Sequence, residues 1–167
     1  MLIRPEEARD WTAVHSVNAA AFPSPAEADL VEALRRDARP IVSLVAEDGG
    51  MIVGHVMFSP VALPGHPALP IMGLGPMAVA PGRQRAGIGS ALVRAGLAEC
   101  ARLGVAAVVV LGHPEYYPRF GFAAAAGFGI DCEYDAPVEA FMLLELRLGA
   151  MQGAAGTVRY HAAFATV

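Results

Sequence analysis

The sequence predicts one α/β domain with a mixed sheet, spanning residues 1–167. Three observations carry that reading. Short β-rich apolar runs alternate with amphipathic helical stretches along the chain. A loop rich in glycine and arginine joins a strand to a helix near residues 81–90. No linker, repeat or low-complexity segment divides the chain, and with 55% apolar and 17% charged residues it can bury a core large enough to fold alone.

The elements follow in order. "LIR" is a short strand at most, and Pro5 to Ala21 is helical, with Trp11, Val14, Val17 and Ala21 at helical spacing. Ser24, Pro25 and Glu27 form a capping box with a proline start, opening a helix through Leu30, Val31 and Leu34 that Pro40 stops. Two β-rich runs flank Asp48-Gly49-Gly50 as a hairpin. A proline-rich connection leads to a strand from Ile71 to Val79, where Gly73, Gly75 and Pro76 signal a bulge or a close approach. A helix from about Gly87 to Leu103 ends at Gly104, and Val105 to Gly112 is apolar throughout, as a strand buried on both faces should be. A helical turn over "PEYYPRFGF", a strand near Gly121 to Ile130, an alternating strand at Phe141 to Leu148 and a final strand in "GTVRYHAAF" complete the expectation.

Composition narrows the partners. All twelve basic residues are arginine, and the formal net charge of −4 argues against nucleic acid. The uncharged stretch His55 to Gly82 contains six prolines and four glycines, which no membrane-spanning helix tolerates. The first residues lack the pattern of a secretory signal, and Cys100 and Cys132 stand alone as expected buried thiols, so the reading is a cytoplasmic protein. No histidine sits at metal-ligand spacing, so no metal is expected.

The loop at 81–90 concentrates chemistry. Gly82 to Gly87 has the spacing of a nucleotide-hydrolase phosphate loop, but Ile88 stands where the lysine belongs. What remains is Gln84-x-x-Gly87-x-Gly89, then Ser90. The first N–H groups of a helix lack internal partners and attract anions, glycine lets phosphate oxygens approach the backbone, and Arg83 and Arg85 add charge at the rim. Taken alone, the loop fits a diphosphate site and an ordinary strand–helix connection equally well.

The wider order of motifs resembles the GNAT superfamily of acyl-CoA-dependent N-acetyltransferases. It comprises two N-terminal helices, a hairpin, a strand ending Val79-Ala80-Pro81, the loop, a buried strand and "YYPRFGF". More narrowly, "GHVMFSPV", "GLGPMAVAP", "YYPRFGF" and "GTVRYHAAF" look like a bacterial branch of predicted N-acetyltransferases. The resemblance implies a splayed central pair of parallel strands, about 71–79 and 105–112, with Gly75 and Pro76 at the bulge that opens it. Acetyl-CoA would lie in the wedge, its pantetheine arm on Met77, Ala78 and Val79. Its pyrophosphate would rest on the loop made by Gln84, Arg85, Ala86, Gly87, Ile88, Gly89 and Ser90.

The implied reaction is direct acetyl transfer to a primary amine, with a backbone N–H near Met77 stabilising the oxyanion. Tyr117, four residues before Gly121, is the candidate general acid; packing on the cofactor is its rival role. Some relatives use a strand glutamate as base, but residues 71–79 hold no carboxylate. His113 is therefore the candidate base, ahead of His55 and Glu115, and a water chain would serve equally. The acceptor is a small molecule or a protein amine, facing largely apolar segments at Phe22, Pro23, Val61, Leu63, Pro64 and Leu69. The other class of reading is a non-catalytic acyl-CoA sensor. The C-terminal strand would offer an edge for a homodimer.

Overall fold

The computed structural model describes residues 1–167. Its main sheet has seven strands in the order β1-β2-β3-β4-β5-β8-β6. These are β1 (Leu2–Pro5), β2 (Val42–Asp48), β3 (Met51–Val61), β4 (Ile71–Val79), β5 (Ala107–Leu111), β6 (Ala123–Ala124) and β8 (Phe141–Glu145). A second sheet pairs β7 (Ile130–Cys132) with β9 (Gly156–Val158) in parallel. Three helices, α1 (Trp11–Ala21), α2 (Ala26–Asp37) and α3 (Ile88–Arg102), cover the main sheet. No helix is long and apolar enough to cross a membrane, and both cysteines are free thiols.

The hairpin forms as its turn chemistry requires: Gly49 and Gly50 both take positive φ, +58° and +80°, between β2 and β3. Ile71 to Val79 is the expected strand, and α3 begins and ends at the expected glycine signals, with Gly87 at its N-cap and Gly104 just beyond it.

Other expectations shift. The first helix starts at Trp11, after a short helical turn at Ala8–Asp10 where the Asp10 carboxylate accepts from the Glu7 N–H and the Asp10 N–H donates to the Glu7 carbonyl. Trp11 lies half-exposed beneath the Arg35 guanidinium, while Val14 and Val17 enter the core. Ser24 does accept from the Ala26 N–H at 3.2 Å, but Glu27 closes no box; α2 begins after Pro25, and Glu27 turns toward a cleft. The strand expected near 121–130 is broken, because a helical turn at Ala125–Phe128, containing Gly127 and capped by Gly129, separates two short strands. Phe141 begins a strand that ends at Glu145, where the chain turns. Nor does the C-terminal segment leave an edge open: β7 takes one side, and Arg159 bridges Ala62 on the other. A dimer would need a different surface.

Helix α3 fixes the geometry that follows. Its apolar face packs Leu92, Val93 and Leu97 over Val56 and Phe58 in the largest core cluster. The approach is close because two glycines face each other's elements. A Cβ on Gly54 would stand 3.0 Å from both Ile88 and Leu92, and one on Gly96 would fall inside the buried Phe58 ring.

Gly96→Ala therefore tests the docking with an unusual sign. Alanine is the better helix former by about 1 kcal/mol, but overpacking against Phe58 costs about 1–3 kcal/mol. We expect thermal denaturation to show a Tm lower by a few degrees, at roughly 2–4 °C per kcal/mol for this size. An unchanged or raised Tm would mean that α3 stands off from the sheet.

Candidate active site

The sheet's single parallel contact is short. β4 and β5 are paired at Ile71–Ala107, Met72–Val108 and Gly73–Val109, and then part, although β4 continues six residues to Val79. The cause lies on the other side of β4. Met77 faces Val56 and Leu74 faces Phe58, so β4 spends Gly75 and Pro76 where β3 spends only Met57. That bulge bends β4 away from its neighbour.

Past the bulge, the backbone alternates. Ala80 donates its N–H to the Val53 carbonyl at 2.9 Å, and the antiparallel register continues inward from there. Ala78 thus faces β3, while Met77 and Val79 turn their backbone groups toward the open side. The Val79 carbonyl is met there by the side-chain amide of Gln84 at 3.2 Å.

Two clefts open along the parting. One, of about 780 Å³, runs over Met77, Ala78 and Val79 to Gln84, Arg85, Gly87, Ile88, Gly89 and Ser90. Glu115, Tyr116 and Arg119 form its far wall. The other, of about 790 Å³, extends from Leu74–Met77 and Val110–His113 toward α2 and the C-terminal segment. They share four wall residues: Phe22, Met77, His113 and Tyr117.

The first cleft ends at the start of α3. Gly87 caps the helix at φ +85° with no side chain to offer, and Ala91 is the first residue whose N–H bonds back, to Gly87. The N–H groups of Ile88, Gly89 and Ser90 therefore precede the helical ladder and carry the positive end of a fifteen-residue dipole. The two glycines differ in purpose. A Cβ on Gly87 meets nothing within 4 Å, so its backbone angle is what demands glycine. A Cβ on Gly89 would stand 3.2 Å from the Met77 sulfur and 3.4 Å from the Tyr116 hydroxyl.

Arg85 also takes a positive φ, +64°, and lines the cleft. Arg83, expected beside it, is instead ion-paired to Asp48 at the hairpin turn, and Arg119 supplies the second wall arginine. Ala86 is exposed in the loop and forms no part of the wall.

The aromatic cluster after β5 divides its labour. The Tyr116 hydroxyl sits 2.9 Å from Ser90 Oγ, with the Arg119 guanidinium stacked 4.3 Å from its ring. Tyr117 is buried, edge-on to Tyr116 at 5.1 Å and to Phe122 at 5.8 Å. Its ring occupies the space above Gly112, where a Cβ would stand 2.5 Å away. Burial, with help from Tyr116, pushes the Tyr117 hydroxyl up to about 12, so it holds its proton at neutral pH. His113 projects from the shared rim, 81% exposed, with Nδ1 3.7 Å from Glu115.

His55 has no access to either cleft. It is fully buried, with Nδ1 3.2 Å from Asn18 Nδ2 and Nε2 2.9 Å from Ser43 Oγ. The Ser-His-Asn arrangement has the spacing of a nucleophilic triad but the wrong proton. Asn18 Nδ2 donates to Nδ1, so Nε2 carries the hydrogen and donates to Ser43 rather than accepting from it. Desolvation drives the His55 pKa down to about 3, which keeps the ring neutral.

Sequence spacing missed most of the second cleft. Glu27, Leu30, Tyr134, Asp135, Tyr160, Phe164 and Val167 reach it from α2, the turn after β7 and the C-terminal segment. Of the apolar residues expected there, only Phe22 lines it; Val61, Leu63 and Leu69 pack in a separate core around β5 and β8. The structure also gathers His15, Asp29 and Glu32 from two helices on the surface, away from both clefts.

Known proteins share this fold. The acetyltransferase (GNAT) domain family matches residues 2–125. The chain is 39% identical over 165 residues to the uncharacterized N-acetyltransferase YhbS of Escherichia coli (strain K12), covering 98% of both. The crystal structure of Escherichia coli YhbS in complex with CoA superposes with a TM-score of 0.92 at 37% identity, over 98% of this chain and 91% of that one. A GNAT family acetyltransferase from Brucella melitensis, in complex with acetyl-CoA, gives 0.80 at 37% identity, over 98% and 97%.

The two loop glycines make separable predictions. Gly87→Ala forces a side chain into the left-handed region at a cost of about 1–2 kcal/mol, a Tm loss of roughly 2–8 °C at 2–4 °C per kcal/mol. Gly89→Ala keeps ordinary helical angles and gains helix propensity, so its Tm should stay within about 2 °C of the wild type. Equal losses in a thermal melt would contradict the distinction.

Proposed function

This chain belongs to the GNAT acetyltransferase family, and from that premise we propose that it moves an acetyl group from acetyl-CoA directly to a primary amine within a ternary complex. The observation that carries this reading is the seam where two clefts share Met77, His113, Tyr117 and Phe22. One cleft suits the donor, the other the acceptor, and the reacting atoms meet at their common wall.

The donor cleft reads as a coenzyme site from end to end. The amides of a pantetheine arm would pair with the backbone of Met77 and Val79, as an added strand does. The pyrophosphate would rest on the N–H groups from about Arg85 to Ser90, with the Arg85 and Arg119 guanidinium groups at the walls. That CoA and acetyl-CoA occupy the YhbS and Brucella structures supports this assignment.

The chemistry then follows. A neutral amine nitrogen attacks the thioester carbonyl; the N–C bond forms, and the oxyanion develops against the Met77 N–H. As the tetrahedral centre collapses, the C–S bond breaks, Tyr117 gives its proton to the leaving thiolate, and the extra proton that the attacking nitrogen sheds on becoming an amide returns through water to restore the Tyr117 hydroxyl. The amine arrives mostly as its ammonium, with a pKa near 10.4 for a lysine-like group, and must shed a proton. His113 at the rim is our choice of base, directly or through water, and its exposure supports exchange with bulk. The free thiols of Cys100 and Cys132 suit a reducing cytoplasm.

A thermal-shift series tests the donor site. At a hundred times its dissociation constant acetyl-CoA adds about 2.7 kcal/mol, a rise of roughly 5–10 °C. ATP and NAD should give none. Tyr117→Phe should bind acetyl-CoA unchanged but lower kcat by about a hundredfold, the modest end of general-acid effects because a thiolate leaves readily. Its hydroxyl keeps its proton well above neutrality, so wild-type activity should show no loss from Tyr117 ionisation up to about pH 10. Binding without turnover in the wild type, with any amine, would favour a sensor of acyl-CoA.

A further inference from the structure

The acceptor cleft is not neutral ground. No arginine lines it, in a chain with twelve, whereas the donor cleft has two. Two carboxylates do: Glu27, half-buried on α2, and Asp135, in the turn after β7. Neither takes part in an ion pair. A row of aromatic rings lines the same cleft. Tyr134 and Tyr160 lie 5.9 Å apart at 31°, and Tyr160 and Phe164 lie 5.0 Å apart at 53°.

Tyr160 adds an independent observation. Its ring forms part of the cleft wall and packs over Gly73, where a Cβ would stand 2.9 Å away. Its hydroxyl oxygen is shielded from solvent and has no hydrogen-bond partner in the protein. Such a group is costly unless something bonds it. A hydroxyl is satisfied by a donor or an acceptor, and it is the aromatic faces beside it that select a cation such as an ammonium. A carboxylate would meet two like charges.

We propose that the acceptor is a small dication, a primary amine joined by an apolar spacer to a second positive group held among Glu27, Asp135 and the Tyr134–Tyr160–Phe164 row. The inference rests on the acetyltransferase reading. It separates the two tasks that one amine cannot perform together. The reacting nitrogen must be neutral at the seam, while the anchoring nitrogen stays charged deeper in the cleft. The spacer crosses Leu30, Leu74 and Val110, which are apolar and line the route.

Three amines of similar length separate the outcomes: 1,5-diaminopentane, n-pentylamine and 6-aminohexanoate. Acetyl-CoA-dependent thiol release is measured for each, after a thermal shift has established that the donor binds. We expect kcat/KM for the diamine to exceed that for pentylamine by about tenfold or more, with the amino acid slowest. Glu27→Gln and Asp135→Asn, both close in shape, should raise KM for the diamine about five- to tenfold, leave kcat nearly unchanged and leave pentylamine unaffected. Rising salt should shrink the diamine's advantage. A donor that binds and turns over with pentylamine as well as with the diamine would overturn the dication proposal and leave the transferase reading intact. So would variants that slow all three amines equally. A donor that does not bind at all would remove the premise.

Discussion

The parting of β4 from β5 is the constraint on which the rest of this molecule depends. Two neighbouring strands in the middle of a sheet should satisfy each other's backbone groups along their whole length. Here they stop after three residue pairs, because Gly75 and Pro76 form a bulge against β3. The backbone of Met77 and Val79 is left facing a cleft instead of a strand. An extended ligand with its own amides can complete that ladder, so the defect in the sheet and the proposed binding site are one feature.

The parting is useful only because both its ends are held. At one end, α3 is pressed onto β3 through Gly54 and Gly96, which fixes the height of its N-terminus above β4. At the other, Tyr117 folds back over Gly112 and is clamped by Tyr116 and Phe122, so its hydroxyl has one place to be. Ser90 and Tyr116 tie the two ends together across the cleft. Rigid elements thus carry Tyr117 and the start of α3, while exposed His113, proposed as the base, sits on a turn where water can reach it.

How much of this was legible in the sequence follows from the range of each interaction. The hairpin at Gly49-Gly50, the strand from Ile71, the cap at Gly87 and the end of α3 are set by local backbone chemistry, and they fall where the residues say. Met77 to Ser90 is one contiguous stretch and lines one cleft apart from Ala80 to Arg83 and Ala86, although the loop taken alone did not say what it would bind. Arg83 was misread because its partner, Asp48, lies on another hairpin and draws it away from the cleft. The strand across 121–130 was misread because an apolar run of small residues does not reveal that Gly127 and Gly129 turn the chain. The second cleft, proposed for the acceptor, was nearly invisible. Glu27, Asp135 and Tyr160 come from three distant segments, and no spacing relates them. Glu27 was even given another role, as the last member of a capping box that does not close.

The most direct test of the central claim is amide hydrogen exchange at Met77 and Val79, followed by NMR with and without CoA. If the open edge of β4 is where the pantetheine arm lies, both amides exchange freely in the unliganded protein. On adding CoA they become protected together with Ile88, Gly89 and Ser90. Protection confined to the start of α3, with Met77 and Val79 unchanged, would mean that the loop binds a phosphate but the parting of the strands is not the cofactor's bed.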